Sequence, residues 1–167
     1  MVIRHETAED ADAVRAVLLA AFGGDDEATL VGLLRNHGDV VASLVAVADN
    51  EVAGHVMFSR LAIRTDADVL RAVALAPLAV LPAFARRGIG SALVREGLRL
   101  LRDLGETVVI VVGDPAYYAR FGFSTELARR LRSRYSGPAF MALPLTPDAL
   151  DGVSGDVKYP AAFDSLG

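Results

Sequence analysis

The chain has 167 residues, enough for one domain that buries about two-thirds of the surface its unfolded form exposes. Its 53% hydrophobic and 23% charged residues exclude a disordered chain, and its net charge of -4 gives no general electrostatic attraction to nucleic acid. It contains no cysteine, which excludes disulfides, thiolate metal sites and a cysteine nucleophile.

Polar and charged side chains begin within the first few residues, at Arg4, His5 and Glu6, so no signal peptide is predicted. No apolar run reaches the length of about 18 residues that a membrane span needs. We therefore expect a cytoplasmic protein that forms one domain over residues 1–167, as a monomer or homodimer, with no membrane partner. The chain has only three histidines, too few to favour a histidine metal centre, and no metal is expected.

The apolar spacing and the turn residues predict an alternation of strands and helices. In chain order these are a strand at 2–4, a helix from a capping box at Thr7 and Asp10 to Gly23, a helix at about 27–35, strands at 44–48 and 52–59 joined by a hairpin, a strand at 69–80, a helix at 88–104, a strand at 107–112, and a short helix before a less regular tail. The helix at 88–104 lies between two strands, which predicts a βαβ crossover within a mixed sheet.

The turn before this helix reads Arg86-Arg87-Gly88-Ile89-Gly90-Ser91. Its two glycines let backbone amides approach a ligand closely, and a helix start carries unpaired amides and the positive end of the dipole. Together with the arginines, this predicts a site for an anion such as a pyrophosphate. The alternative is a tight turn with ordinary surface arginines.

Two better-known nucleotide loops fit this turn poorly. A dinucleotide fold places a third glycine where Leu93 stands, and the chain has no Gly-Lys-Ser/Thr sequence here for a P-loop.

The segment from Leu75 to Val94, LAPLAVLPAFARRGIGSALV, resembles the acetyl-CoA signature of the GNAT superfamily of N-acetyltransferases, and most closely its bacterial YhbS-like branch. The resemblance runs from Ile3 through Phe123, and the tail is similar over 159–163. It implies an α/β (α+β) fold with a central mixed, mostly antiparallel sheet, a splayed strand pair and flanking helices. It also implies an enzyme that moves the acetyl group of acetyl-CoA directly to a primary amine of a small molecule or peptide.

The resemblance further implies two cosubstrate-binding segments. The loop amides would hold the CoA pyrophosphate, and backbone groups of the strand before the loop would pair with the pantetheine arm where that strand splays from the strand at 107–112. These residues are Leu78, Ala79, Val80, Arg86, Arg87, Gly88, Ile89, Gly90 and Ser91. Ala85 stands where the family usually has Gln or Arg, a departure that weakens the match. Pro77 and Pro82 fit an interrupted ladder, although they also fit a simple edge strand.

The resemblance gives Tyr118 the role of general acid, because it matches the tyrosine of the family pattern Tyr-x-x-x-Gly-Phe, which ends here at Phe123. Its phenol would protonate the departing CoA thiolate. The alternative is a core tyrosine whose hydroxyl only finds a partner. The adjacent Tyr117 must point in another direction on so short a helix.

No general base stands out in the sequence. The candidates are Asp25, Asp26, Glu27, His55 and Asp114. Each also has an ordinary structural explanation, as a capping, solvated or sheet residue, and a base that acts through water is equally open.

Two other functions remain open at this point. The missing base keeps a non-catalytic acyl-CoA sensor in consideration. A nucleic-acid-binding module would depend on four arginines that also fit a solvated helix face or the rim of a substrate site: Arg129, Arg130, Arg132 and Arg134. No nucleic-acid partner is expected, because the overall charge is negative.

Overall fold

One mixed sheet with helices on both faces forms the protein in the computed structural model, which describes residues 1–166. The strands are β1 Val2–His5, β2 Val40–Ala48, β3 Glu51–Arg64, β4 Val69–Val80, β5 Val108–Val112, β6 Leu131–Arg132, β7 Phe140–Pro144 and β8 Gly155–Lys158. The α-helices are α1 Ala11–Phe22, α2 Asp26–Asn36, α3 Ile89–Asp103 and α4 Pro115–Tyr118, and short 3₁₀ turns include Ala161–Leu166. Over this same range, no helix is long and apolar enough to cross a membrane.

The main path of the sheet runs in the order β1-β2-β3-β4-β5-β7. Its neighbours are antiparallel except β4 and β5, which are joined through α3 by the predicted crossover. The expected mixed, mostly antiparallel sheet is therefore confirmed. The only other parallel pair among residues 1–166 is the short one between β6 and β8.

The tail differs from the sequence-based expectation. Residues after 123 were expected to be less regular, but β7 pairs along the whole of β5, and β8 pairs with the end of β3. β3 also runs to Arg64, beyond the predicted end at 59, and this extension is where β8 binds. The prediction was wrong here because such short strands are stabilised by partners distant in the sequence, which no local pattern reveals.

The start of α1 follows the predicted capping box. The backbone amide of Thr7 donates to Asp10 Oδ2 at 2.7 Å, and the Arg4 guanidinium donates to both carboxylate oxygens at 2.7 and 3.0 Å. The hydrogen bonds from Arg4 and then from Thr7 hold the pKa of Asp10 far below its usual range. This carboxylate therefore fixes the chain between β1 and α1.

The two faces of the sheet bury separate apolar cores. One core packs under α1, α2 and the turn at Ala161–Leu166, and the other packs under α3. On the second face, the ring of Phe58 lies directly against Gly97 of α3, so closely that a Cβ there would overlap it. This contact fixes the distance of α3 from the sheet.

Replacement of Gly97 by alanine should therefore destabilise the protein, although alanine normally favours a helix. The overlap with the buried Phe58 ring should lower the free energy of unfolding by about 1–3 kcal/mol. Gly32 of α2 is the matched control, because no atom lies within 4 Å of a Cβ built there. Gly32→Ala should raise the free energy of unfolding by about 0.5–1 kcal/mol. Urea denaturation measures both, and equal stabilisation by the two changes would contradict the tight packing of α3.

Candidate active site

The site begins where β4 and β5 part. The two strands pair in parallel at Val73–Val109, Ala74–Ile110 and Leu75–Val111. β4 then continues to Val80 while it pairs with β3, across a register shift opposite Met57. The edge of β4 that faces β5 is therefore left without a strand partner at Leu78, Ala79 and Val80, as a splayed pair requires. An unpaired edge of this kind is a template for another extended chain.

The loop after β4 leads directly into the start of α3. Gly88 precedes the helix with φ of 77°, a left-handed conformation that favours glycine, and Arg86 has φ of 65°. The first helical hydrogen bond runs from the Ala92 amide to the Gly88 carbonyl at 3.0 Å. The amides of the three residues between them consequently lack a helical acceptor: Ile89, Gly90 and Ser91.

The charged side chains of the loop lie at its rim. Arg86 and Arg87 are both exposed. The guanidinium of Arg87 lies 4.8 Å from the centre of the Phe84 ring and 3.4 Å from a carboxylate oxygen of Asp49. The exposed Asp49 pair is weak, so Arg87 remains available to an anion at the helix start.

The helix start contacts α4 through residues that the sequence analysis did not assign to the site. A Cβ at Gly90 would lie 3.1 Å from the Tyr117 hydroxyl and 3.6 Å from Cγ2 of Val80. The Tyr117 hydroxyl also lies 3.3 Å from Ser91 Oγ, which accepts a hydrogen bond from Arg120 at 2.9 Å. Tyr117 and Arg120 are three residues apart, and this spacing on one helical face is the signal that would have found them.

Tyr118 lies at the carboxyl end of β5, beside the parting of the strands. Its ring packs on Gly113, where a Cβ would lie 2.5 Å from Cε2, and lies edge-on to Phe123 with 5.7 Å between ring centres. The residue is 9% exposed, and its hydroxyl has no hydrogen-bond partner among residues 1–166. Burial, and secondarily Tyr117, raise the pKa of Tyr118 to about 12. The phenol is therefore a hydrogen-bond donor at neutral pH.

Three of the four carboxylates considered as bases are engaged in a helix cap or exposed. Asp114 Oδ1 accepts from the Ala116 amide at 3.0 Å and so caps α4. Asp25 and Asp26 are exposed at the start of α2, where Glu27 is half-buried. In the described part of the chain, no three His, Asp or Glu side chains lie close enough together to hold a metal ion.

His55 belongs to a buried polar cluster on the α1 and α2 face of the sheet. Its Nε2 lies 2.9 Å from Ser43 Oγ and 3.3 Å from Oε1 of Glu6, which also accepts from Arg35 at 2.6 Å. Burial lowers the pKa of His55, more than Glu6 raises it. The partners fit a neutral ring with its hydrogen on Nε2, and the side chain is fully buried. His55 consequently joins β3 to β2 and α2, and its side chain is enclosed by protein.

The four arginines of the tail do not form a helix face. Arg132 lies on β6 and pairs with Asp156 at 2.7 Å, and Arg129 pairs with Glu126 at 2.7 Å. Arg134 pairs with Asp164 at 2.6 Å. Three of the four guanidinium charges in this cluster are thus balanced by carboxylates, which disfavours its use as a phosphate-binding patch.

Comparison with known proteins connects this geometry to one family. Residues 2–125 match the family described as acetyltransferase (GNAT) domain. The chain is 40% identical to the uncharacterized N-acetyltransferase YhbS of Escherichia coli K12, over 98% of this chain and 99% of YhbS. The crystal structure of E. coli YhbS in complex with CoA matches with a TM-score of 0.92, over 99% of this chain and 93% of that one.

A second solved structure is nearly as similar. It is a GNAT family acetyltransferase from Brucella melitensis in complex with acetyl-CoA, with 37% identity and a TM-score of 0.81, and the match covers 98% of this chain and 97% of that one. Both matches extend through the tail, so the strands after residue 125 belong to the shared fold.

The raised pKa of Tyr118 can be tested by its ultraviolet absorbance. With a pKa of about 12, roughly a tenth of this phenol should be ionised at pH 11, whereas an ordinary tyrosine is roughly nine-tenths ionised there. The measurement is the tyrosinate absorbance of the wild type minus that of Tyr118→Phe, with circular dichroism to verify folding at each pH. A difference at pH 11 equal to one full tyrosinate would contradict the buried environment.

Proposed function

This chain belongs to the GNAT family of acetyltransferases, and we propose that it transfers the acetyl group of acetyl-CoA directly to a primary amine. One observation carries the proposal. The free edge of β4, the unpaired amides at the start of α3 and the Tyr118 phenol all lie around the parting of β4 and β5. The relatives from E. coli and Brucella melitensis, which hold CoA and acetyl-CoA, support the identity of the cosubstrate.

The amides of Ile89, Gly90 and Ser91 would hold the CoA pyrophosphate. They lack helical acceptors and lie at the positive end of the α3 dipole, and Arg86 and Arg87 add charge at the rim. Because Ser91 Oγ is already bonded to Arg120, the backbone of Ser91 remains the group available to phosphate.

The pantetheine arm would then run along β4. The backbone of Leu78, Ala79 and Val80 has no partner on the side of β5, and the amide groups of pantetheine can replace that partner. Leu78 and Val80 pack on the face of α3. This path leads from the pyrophosphate site to the parting of the strands, where the thioester would lie next to Tyr118.

In the reaction, the amine nitrogen attacks the thioester carbonyl, the tetrahedral intermediate collapses, and the carbon–sulfur bond breaks. The amine loses a proton and the CoA thiolate gains one. The reference pKa of a thiol is about 8.5, so full transfer of a proton from a phenol with a pKa of about 12 is unfavourable. Tyr118 would therefore stabilise the departing sulfur by a hydrogen bond in the transition state, and the proton that the amine releases completes the balance.

The acceptor must supply its own neutral amine. Asp114 caps α4, Asp25 and Asp26 are exposed at the start of α2, and His55 is enclosed, so we assign none of these residues as the base. At pH 7 roughly a tenth of an α-amine is neutral, against well under a thousandth of a lysine amine. We therefore expect amines of low pKa to be better acceptors. The lack of an assigned base also favours the competing function, an acyl-CoA sensor without turnover.

Tyr118→Phe should separate the two functions. We expect kcat to fall about tenfold or more, because the departing thiolate loses its hydrogen bond, while the Kd for acetyl-CoA stays unchanged. The assay is release of free thiol from acetyl-CoA over a panel of primary amines.

Tyr117→Phe is the matched control for this variant, since the Tyr117 hydroxyl contacts the helix start. It should change kcat by about threefold or less. Unchanged turnover in Tyr118→Phe would remove Tyr118 from the reaction. If the wild type releases no thiol with any amine of the panel but binds CoA tightly, the results would support the sensor function.

Gly88→Ala should weaken CoA binding. Alanine is strained at the φ of 77°, at a cost of roughly 1–2 kcal/mol, so relaxation of the loop would turn the free amides away from the pyrophosphate. We expect the Kd for CoA to rise about tenfold, measured by calorimetry. Gly24→Ala is the control, because its φ is not in the left-handed region and a Cβ there meets no atom within 4 Å. Equal affinities for the two variants would contradict the role of the loop.

A further inference from the structure

A cavity opens on the side of the sheet opposite α3, at the parting of β4 and β5. Its volume is about 190 Å³, and its floor includes Ala74 and Ala76 of β4 with Ile110 and Val112 of β5. Val112 directly precedes the glycine on which the Tyr118 ring packs. A larger depression of about 580 Å³ lies at the opposite ends of the same strands, so the smaller cavity is the one that adjoins the proposed reaction centre.

Aromatic side chains of the tail form the walls of this cavity. The rings of Tyr135 and Tyr159 lie 4.9 Å apart at 85°, and those of Tyr159 and Phe163 lie 4.8 Å apart at 62°. These mutual edge contacts fix the walls. Across the described chain, no charged residue lines this cavity.

The charges nearest the cavity already balance each other at its rim. Arg134 donates to Asp164 at 2.6 Å, and its guanidinium lies 5.0 Å from the centre of the Tyr135 ring and 5.9 Å from that of Tyr159. The two tyrosines therefore already have a cation over them, and the nearby carboxylate is used. A second ammonium group placed here would lack a partner, which disfavours polyamines and other polycations.

On the basis of the proposed acetyl transfer, we propose that this cavity binds one apolar side chain of the acceptor, a phenyl ring or a branched aliphatic group, while its amine lies at the parting of the strands. An apolar cavity of about 150 Å³ holds one benzene molecule, so a volume of 190 Å³ fits a single ring. The occupant is the acceptor and not a long acyl chain on CoA, because the cavity is open to solvent. Val112 in its floor is 45% exposed, and an acceptor must enter and leave in every turnover.

The test compares acceptors that differ in their side chains but have amines of similar pKa. Phenylalaninamide should exceed glycinamide in kcat/KM by about tenfold or more, because its ring leaves water for an apolar site. Spermidine should be a poorer acceptor than glycinamide. A ratio near one between phenylalaninamide and glycinamide would overturn the inference while the acetyltransferase function stands.

Two variants fill the cavity from opposite sides. Ala76→Leu and Leu166→Trp both add volume within it, and each should reduce the ratio of phenylalaninamide to glycinamide turnover toward one. Ala67→Leu makes the same change at an exposed position in the turn between β3 and β4, and it should keep the wild-type ratio. Thermal unfolding verifies that the variants fold, and either folded cavity variant with the wild-type ratio would overturn the inference.

Binding of the product separates this inference from the function. N-acetylphenylalaninamide should bind the wild type and bind Ala76→Leu at least about fivefold more weakly by calorimetry. If no amine releases thiol but this ligand binds as expected, the cavity stands and the proposed reaction fails. If neither occurs, both fail. Faster turnover of octanoyl-CoA than of acetyl-CoA, lost in Ala76→Leu, would assign the cavity to the acyl chain and overturn the proposal.

Discussion

The separation of β4 from β5 after Leu75 is the constraint on which the proposed site depends. A parallel pair of three residues is short, and it is held in place from both sides. β4 remains hydrogen-bonded to β3 as far as Val80, and β5 is paired with β7 along its whole length. The gap is therefore a fixed feature between two firmly held strands, and it leaves unpaired backbone groups at a known position in the sheet.

This gap also explains why the molecule uses its two faces differently. On one face, α3 packs through Gly97 against Phe58, and this contact brings the unpaired amides at its start beside Val80. On the other face, α1, α2 and the C-terminal turn cover the sheet, and Tyr135, Tyr159 and Phe163 of the tail line a small cavity. The proposed phosphate-binding loop and the apolar cavity thus lie on opposite faces of the sheet, near the place where it is open. Such an arrangement suits the proposed transfer of an acetyl group from a charged cosubstrate to an apolar acceptor.

Burial gives the polar groups of the core two different roles. Tyr118 is buried, its hydroxyl has no hydrogen-bond partner among residues 1–166, and the loss of solvent raises its pKa and keeps it a donor. His55 is also buried, but Ser43 and Glu6 engage its Nε2, and Arg35 completes the cluster. A residue can be suited to chemistry only if a reacting atom can reach it. Tyr118 therefore fits the proposed reaction, whereas His55 joins the strands to α2.

The sequence alone determined the features that depend on neighbouring residues. The order of elements as far as α4, the capping box at Thr7 and Asp10, the crossover through α3 and the glycine loop at its start all follow from spacing and turn chemistry, and the structure has them. The choice of Tyr118 over Tyr117 came from a family pattern, and its catalytic role stays a prediction.

Tertiary structure decided what depends on residues far apart in the chain. The contact of Tyr117 and Arg120 with Ser91, the cluster around His55, the pairing of β7 and β8, and the cavity between β4, β5 and the tail each join segments that no local period connects. A period of two or of 3.6 residues specifies which face of one element is apolar. It does not specify which other element covers that face, because that is decided by packing over the whole fold.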